Sequence, residues 1–391
     1  MTDERASELQ NKALRLDYAN LESEGPANYY LVQIKNEASK ILKALNRRSD
    51  TIYDLKKSGL IIETTLDFDL QQYALGAFKS HLGKMQERLS RQYAKGKDKA
   101  LLDVLVKKEL NRLELEDLAD VRKMRELFGW NGFTSDSISI RDSLAFNLTL
   151  LHAGLIAMDP NNGFIKAWVG GIDFRTQPYD QIFAQRQTAS AFKPILYASA
   201  LEQGAMPCHY LDNDELVLND FDTWQPQNYD HSVGGKYSMS ASLARSMNIP
   251  TVNLFFQQDF DILTDTWDAL GFSQELRNKP STALGTTTAS LYEMAIAYSA
   301  FANSGKRIEP VFIKEIKTSD GRSIYKHPKA VLQESVLKEA TSSLLTAMLE
   351  KAVREGTGRS MSNVYGVRST LAGKTGTSQD YGDAWFLAYN N

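Results

Sequence analysis

Ser190-Ala191-Phe192-Lys193-Pro194-Ile195-Leu196-Tyr197-Ala198 is the stretch on which the reading of this chain turns. Ile195 to Ala198 is apolar and the run ends at Gly204, which predicts a buried helix closed by a glycine. Pro194 is tolerated only in a first helical turn, so Ser190 is expected near the helix N-terminus. Lys193 then lies one turn below Ser190 on the same face. A serine hydroxyl is a weak nucleophile and needs a base beside it. A lysine can be that base only if burial or a nearby cation lowers its pKa from about 10.4. Two other Ser-x-x-Lys matches, Ser323-Ile324-Tyr325-Lys326 and Ser335-Val336-Leu337-Lys338, sit among charged neighbours, where the lysine is expected to stay protonated.

Two further short motifs follow in order. Ser246-Met247-Asn248 precedes Ile249-Pro250, and proline biases the residue before it away from helix. The motif is therefore expected in a turn after a helix around residues 240–245, with its polar side chains free to reach a cleft. Taken singly, helix-end capping is the better reading of such side chains. Lys374-Thr375-Gly376-Thr377 reads as a strand, with Thr375 and Thr377 on one face and Lys374 on the other. Gly376 lets a ligand lie close to the backbone. Two hydroxyls and one ammonium suit a carboxylate-bearing substrate. An ordinary edge strand with a glycine bulge explains this motif equally well when it stands alone. Three motifs in one order, each in the local context its chemistry needs, argue against coincidence. Ser-x-x-Lys, Ser-x-Asn and Lys-Thr-Gly together are the signature of penicillin-binding proteins and serine β-lactamases.

Outward from these motifs, Gly154 to Met158 and Phe164 to Val169 flank Asp159-Pro160-Asn161-Asn162-Gly163, which predicts a hairpin. Leu60 to Leu66 reads as a strand and Asp69 to about His81 as a helix. Lys84 to about Phe128 is dense in charge with leucines at helical spacing, which predicts a helical insertion with a solvated face. Residues 1 to about 60 read as polar and helical, broken at Glu24-Gly25-Pro26. Strands at both ends of a helical middle imply an α+β domain whose antiparallel sheet joins distant parts of the chain.

The 391 residues exceed one ordinary domain. A net charge of -3, with no long block of one sign, gives no footprint for nucleic acid. The single cysteine, Cys208, excludes an internal disulfide, and its place beside His209 reads as an ordinary buried or loop thiol. Five histidines without metal-ligand spacing predict no metal, and no cofactor is expected. No stretch reaches the roughly 20 apolar residues of a membrane helix, and the polar start MTDERASELQNKALRL is unlike a secretory signal.

With these motifs in place the sequence resembles the class A, bifunctional penicillin-binding proteins in their transpeptidase region. Thr64-Thr65-Leu66-Asp67 with Leu70-Gln71 is similar to the family's entry into that region. Met158-Asp159-Pro160 through Gly170-Gly171 is similar to its first hairpin, and Arg186-Gln187 precedes the serine as in the family. Trp224-Gln225-Pro226-Gln227-Asn228-Tyr229-Asp230, Ala283-Leu284-Gly285 and Asp383-Ala384-Trp385-Phe386 match as well. Leu151 to Gly154 and Pro207-Cys208 look most like Bacteroidetes members.

The resemblance implies a serine β-lactamase/DD-transpeptidase-like α+β fold and a peptidoglycan DD-transpeptidase activity without a cofactor. Ser190 would be the nucleophile, Lys193 its base, Ser246 a proton relay and Asn248 a hold on the peptide amide. Lys374 would supply positive potential. Thr375, Gly376 and Thr377 would bind substrate, with the backbone N–H groups of Ser190 and Thr377 as oxyanion hole. Partners would be peptidoglycan stem peptides, β-lactam antibiotics and cell-wall synthesis proteins, with the membrane reached only through an N-terminal part not in this chain. The place of action would be the periplasmic face of the inner membrane. The implied organisation is a linker after a missing glycosyltransferase domain (1–63), a linker and helical insertion (64–150) and a C-terminally truncated transpeptidase domain (151–391). A strand and a helix that follow in the family would leave neighbouring backbone unpaired by their absence. Thr188-Ala189 stands where the family has Pro-Gly. Two other readings share the motifs: a serine β-lactamase, for which Glu215-Leu216-Val217-Leu218-Asn219 falls on the wrong side of Ser246, and a β-lactam-binding or scaffolding remnant without turnover.

Overall fold

The computed structural model describes residues 25–48, 51–221, 223–328, 333–379 and 381–390. Residues 1–24 of the segment read as polar and helical lie outside the described part. Helix α1 (Asn28–Asn46) buries Tyr30, Ile34, Ala38 and Leu42, one residue per turn, which is the stripe of an amphipathic helix. Strand β1 (Ile61–Thr64) lies where the β-branched run predicts it. Helix α2 (Phe68–Tyr93) starts at an Asp67 cap and continues well past His81, and α3 (Gly96–Arg112) follows. The charged segment is not helical throughout. Strands β2 (Arg122–Leu127) and β3 (Thr134–Ser139) form a hairpin, closed by a turn in which Gly132 has a φ of 127°. The helical run has already ended at Arg112, where Glu114 takes a left-handed φ of 55°, and α4 (Ile140–Leu148) resumes it after a Ser139 cap.

The hairpin expected around Asp159 to Gly163 is present as β4 (Leu155–Met158) and β5 (Ile165–Val169). Asp159 accepts from the Asn161 N–H, and Gly163 takes a left-handed φ of 73° that lets the chain return. Beyond it lie β6 (Arg186–Gln187), a 3-10 turn (Ala189–Ala191) and α5 (Lys193–Glu202). Helix α5 is buried on every side from Lys193 to Leu201, as its apolar run predicts. Around it pack β7 (Tyr210–Asp212), β8 (Lys236–Ser238), α6 (Met239–Ala244), α7 (Ile249–Phe256) and α8 (Phe260–Ala269). Then come β9 (Thr288–Ala289), α9 (Leu291–Ala302), β10 (Lys306–Ile308), β11 (Ile313–Lys317), β12 (Ser323–Lys326) and β13 (Gln333–Ser335). Helix α10 (Glu339–Arg354), β14 (Ala372–Thr377) and β15 (Ala384–Tyr389) complete the order. Phe192, Leu196, Trp267, Met294, Phe301 and Leu349 share one core, which fixes α5 at its centre.

Pairing joins distant segments at β1 with β11 and at β6 with β9. The expected single sheet is not continuous among the described residues, because β4 pairs with β5 and β14 with β15 as separate ladders. A cleft of about 550 Å³ separates them, lined by Ile156, Met158, Phe386 and Ala388 with Tyr298 on α9. Among the described residues no helix is long and apolar enough to cross a membrane.

Candidate active site

Ser190 sits in the 3-10 turn, and Pro194 falls in the first turn of α5, where its missing N–H has no intrahelical partner to lose. The turn is held on several sides. The Thr188 N–H donates to the Thr287 carbonyl and the Ala189 N–H to the Gly285 carbonyl. The Tyr298 hydroxyl donates to the Ala191 carbonyl over 3.0 Å, and the Trp385 indole donates to the Gln187 carbonyl over 2.8 Å. Ala189 has a φ of 47°, a conformation that suits glycine. Among the described residues the Ser190 hydroxyl makes no hydrogen bond, and the Lys193 nitrogen makes its bonds to Ser246, Met247 and Asn248 instead.

Lys193 is fully buried. Its ammonium nitrogen points at Asn248 Oδ1 (2.7 Å), the Ser246 carbonyl (2.8 Å), the Met247 carbonyl (3.1 Å) and Ser246 Oγ (3.5 Å). Burial pushes its pKa well down, and the charge of Lys374 pushes it the same way. A neutral amine has two N–H groups for the nearest acceptors and one lone pair left for a hydroxyl proton. Lys374 is also buried, and burial holds its pKa at about 7. Its nitrogen donates to Ser246 Oγ over 2.8 Å, so two buried lysines converge on one serine hydroxyl.

Ser246 follows α6 and has a φ of 57°. Such a backbone costs energy and persists only where the surroundings impose it. Asn248 begins α7, with Pro250 in the first turn, so the motif lies between two helices as its proline predicts. The capping alternative does not hold, because the Asn248 side chain makes no cap. It donates from Nδ2 to the Gln227 carbonyl over 2.6 Å and accepts from Lys193.

On β14, Lys374 points inward while Thr377 is exposed, the alternation a strand imposes. Gly376 lies against the serine turn, and a Cβ there would stand 2.9 Å from the Ala191 nitrogen. The Ser378 N–H donates to the Asp383 carbonyl over 3.0 Å. Alternation along the ladder therefore turns the Thr377 N–H away from β15. Thr375 Oγ1 donates to Thr357 Oγ1 over 2.8 Å.

All the residues expected from the three motifs thus belong to one neighbourhood. The two decoys do not: Ser323 to Lys326 is strand β12, and Lys338 pairs with Glu202 at 3.1 Å. Cys208 is an exposed loop thiol. Sequence reasoning assigned no role to Asn228, Gly285, Tyr298 or Thr357. Asn228 and Gly285 lie in stretches already singled out by resemblance, whereas Tyr298 and Thr357 carry no local signal.

A family model described as the penicillin-binding protein transpeptidase domain matches residues 153–391. The chain is 26% identical to Penicillin-binding protein 1A of Rickettsia conorii, covering 100% of this chain and 56% of that protein. It is 33% identical to Penicillin-binding protein 2D of Bacillus subtilis, over 61% of this chain and 36% of that one. The chain spans about half the length of the curated relatives it matches over 93% to 100% of its own length. Among solved structures, Penicillin-Binding Protein 1A from Haemophilus influenzae superposes with a TM-score of 0.72 at 18% identity, over 99% of this chain and 67% of that chain. That likeness carries the fold, which is the α+β transpeptidase fold expected from the motifs. The chain belongs to the transpeptidase family of the class A penicillin-binding proteins.

Proposed function

We propose that this chain carries the acyl-transfer site of a peptidoglycan DD-transpeptidase, with Ser190 as nucleophile. The observation that carries this reading is the convergence of buried Lys193 and buried Lys374 on Ser246 Oγ, beside the turn that presents Ser190. Ser190 Oγ attacks the penultimate D-alanyl carbonyl of a stem peptide while neutral Lys193 takes its proton. The N–H groups of Ser190 and Thr377 hold the oxyanion, and one such donor is worth about 10²–10³ in rate. Collapse breaks the peptide C–N bond, and the leaving D-alanine takes a proton through Ser246. Lys374, Thr375 and Thr377 hold the terminal carboxylate, Asn248 holds the peptide amide, and Gly376 lets the substrate lie flat on β14. The amine of a second stem peptide then attacks the ester, loses its proton to the restored base and frees Ser190. Water in place of that amine gives carboxypeptidase activity.

A β-lactam enters by the same steps, and its opened ring stays attached, so the acyl-enzyme persists. Penicillin-binding protein A of Mycobacterium tuberculosis, a fold neighbour with a TM-score of 0.52, is described as an imipenem acyl-enzyme complex. On this reading residues 151–391 form the transpeptidase domain, and residues 1–63 and 64–150 lead into it. The substrate places the reaction on the periplasmic face of the inner membrane, beside the proteins that polymerise the wall.

Labelling with a fluorescent penicillin, read by intact mass beside a Ser190→Ala variant, tests this. A stable adduct on the natural chain and none on the variant is the expected result. An adduct that survives Ser190→Ala, or none on the folded natural chain, sinks it.

A further inference from the structure

Asn248 is the residue that starts α7, yet its side chain does not cap that helix. An asparagine there ordinarily accepts from the free N–H groups of the first turn. Here the second helical residue is Pro250, which has no N–H, and the two N–H groups before it are held from outside the helix. Asn228 Oδ1 accepts from the Asn248 N–H over 2.7 Å and from the Ile249 N–H over 3.2 Å. Asn228 is 3% exposed, and its amide is fixed from the other end. Its Nδ2 donates to Asn213 Oδ1 over 2.6 Å and to the Ser232 carbonyl over 2.8 Å.

With its backbone held in this way, the Asn248 amide makes its own bonds on the side of the site. Its Oδ1 accepts from Lys193 over 2.7 Å and its Nδ2 donates to the Gln227 carbonyl over 2.6 Å. Gln227 and Asn228 are neighbours, so one short stretch fixes both the backbone and the side chain of Asn248. The same stretch closes the downstream side of Ser246, whose left-handed φ of 57° needs support. The upstream side is held by helix α6, through the Ser246 N–H to the Leu243 carbonyl and the Met247 N–H to the Ser242 carbonyl.

We propose that Asn228 is the positioning residue of the Ser246 to Asn248 turn: by capping α7 from outside, it keeps the Asn248 amide on Lys193 and holds the turn under Ser246. The inference rests on the acyl-transfer reading of Ser190. Without Asn228, the Asn248 and Ile249 N–H groups lose their acceptor, and the backbone that aims the Asn248 amide at Lys193 is free to shift.

The test uses the full chain with Asn228→Ala and, as a measure of general destabilisation, Thr65→Ala. Thr65 is buried away from the site, where its hydroxyl bonds the Ile165 carbonyl at 2.9 Å and the Val311 carbonyl at 2.7 Å. The readouts are penicillin acylation rate per folded molecule and hydrogen exchange of the Asn248 and Ile249 amides. Asn228→Ala should slow acylation by roughly 10- to 100-fold, the scale of a displaced catalytic group. Thr65→Ala should lower the melting temperature without slowing acylation of the folded protein. Asn228→Ala behaving like Thr65→Ala overturns the proposal. If the natural chain is not acylated, the acyl-transfer reading alone falls, and exchange decides the rest. Faster exchange at both amides in Asn228→Ala but not in Thr65→Ala upholds the capping role, and unchanged exchange removes it.

Discussion

Gly285 and Ala189 meet backbone to backbone. The Ala189 N–H donates to the Gly285 carbonyl over 2.9 Å, and a Cβ added to Gly285 would run into the Ala189 carbonyl. Both residues are left-handed, with φ of 75° and 47°. The turn that presents Ser190 is therefore braced by a contact only glycine permits, and it passes through a residue that is not glycine.

Gly285→Ala should act on that brace directly. A left-handed backbone alone costs a residue with a Cβ about 1–2 kcal/mol, and the overlap adds to it. Because the displaced partner is Ala189, acylation of Ser190 should fall by about 100-fold. Melting and penicillin labelling measured together check this; unchanged labelling would mean the turn does not depend on Gly285.

Tyr298→Phe removes the buried hydroxyl that bonds the Ala191 carbonyl. The loss should be about 1 kcal/mol, lowering the melting temperature by about 2–4 °C. Acylation should slow severalfold, because the carbonyl belongs to the turn carrying Ser190. Denaturant unfolding and labelling rates measure the two effects separately, and a stable variant labelled at the natural rate would contradict the prediction.

Burial holds Lys374 at about 7 against an ordinary 10.5. Between these values the unfolded chain binds a proton that the folded chain has released. Stability therefore rises as pH increases from about 7 towards 10, and it is lost as pH falls through 7. Lys193 is pushed in the same direction. Lys374→Met should flatten the slope over that window, raise stability near pH 6 and lose penicillin labelling. Urea titrations across that range decide it, since an unaltered slope would assign the proton elsewhere.

Thr357→Val takes away the acceptor of the Thr375 hydroxyl. One hydrogen bond of this kind is worth about 1 kcal/mol, so binding of a carboxylate-bearing β-lactam should weaken about fivefold. Stability should hardly change, because the pair is at the surface. Concentration dependence of acylation measures it, and an unchanged affinity would leave Thr375 oriented by something else.

Much of the site was legible in the chain because its chemistry is local. Ser190 and Lys193 share one helical start, and Pro194 marks that start whatever surrounds it. The alternation of Lys374 and Thr375 follows from a strand of any origin. The hairpin at Asp159 to Gly163 was legible for the same reason, since Pro, Asn and Gly constrain the backbone by themselves. Between Lys84 and Phe128 the leucine spacing marked a helix correctly through Arg112, while Arg122–Leu127, which pairs with Thr134–Ser139, carries no such spacing and is a strand.

The sequence by itself determined which residue types could perform acyl transfer, and roughly where each would sit on its own element. Only the tertiary structure decided that two buried lysines meet at Ser246, that Asn228 rather than Asn248 caps α7, and that Gly285 braces Ala189. It also left β4 and β15 on opposite sides of a cleft rather than in one sheet. The physical reason is separation along the chain. Hydrogen bonds between residues 20 to 130 apart leave no periodicity to read, and a lysine's pKa depends on burial that only packing creates.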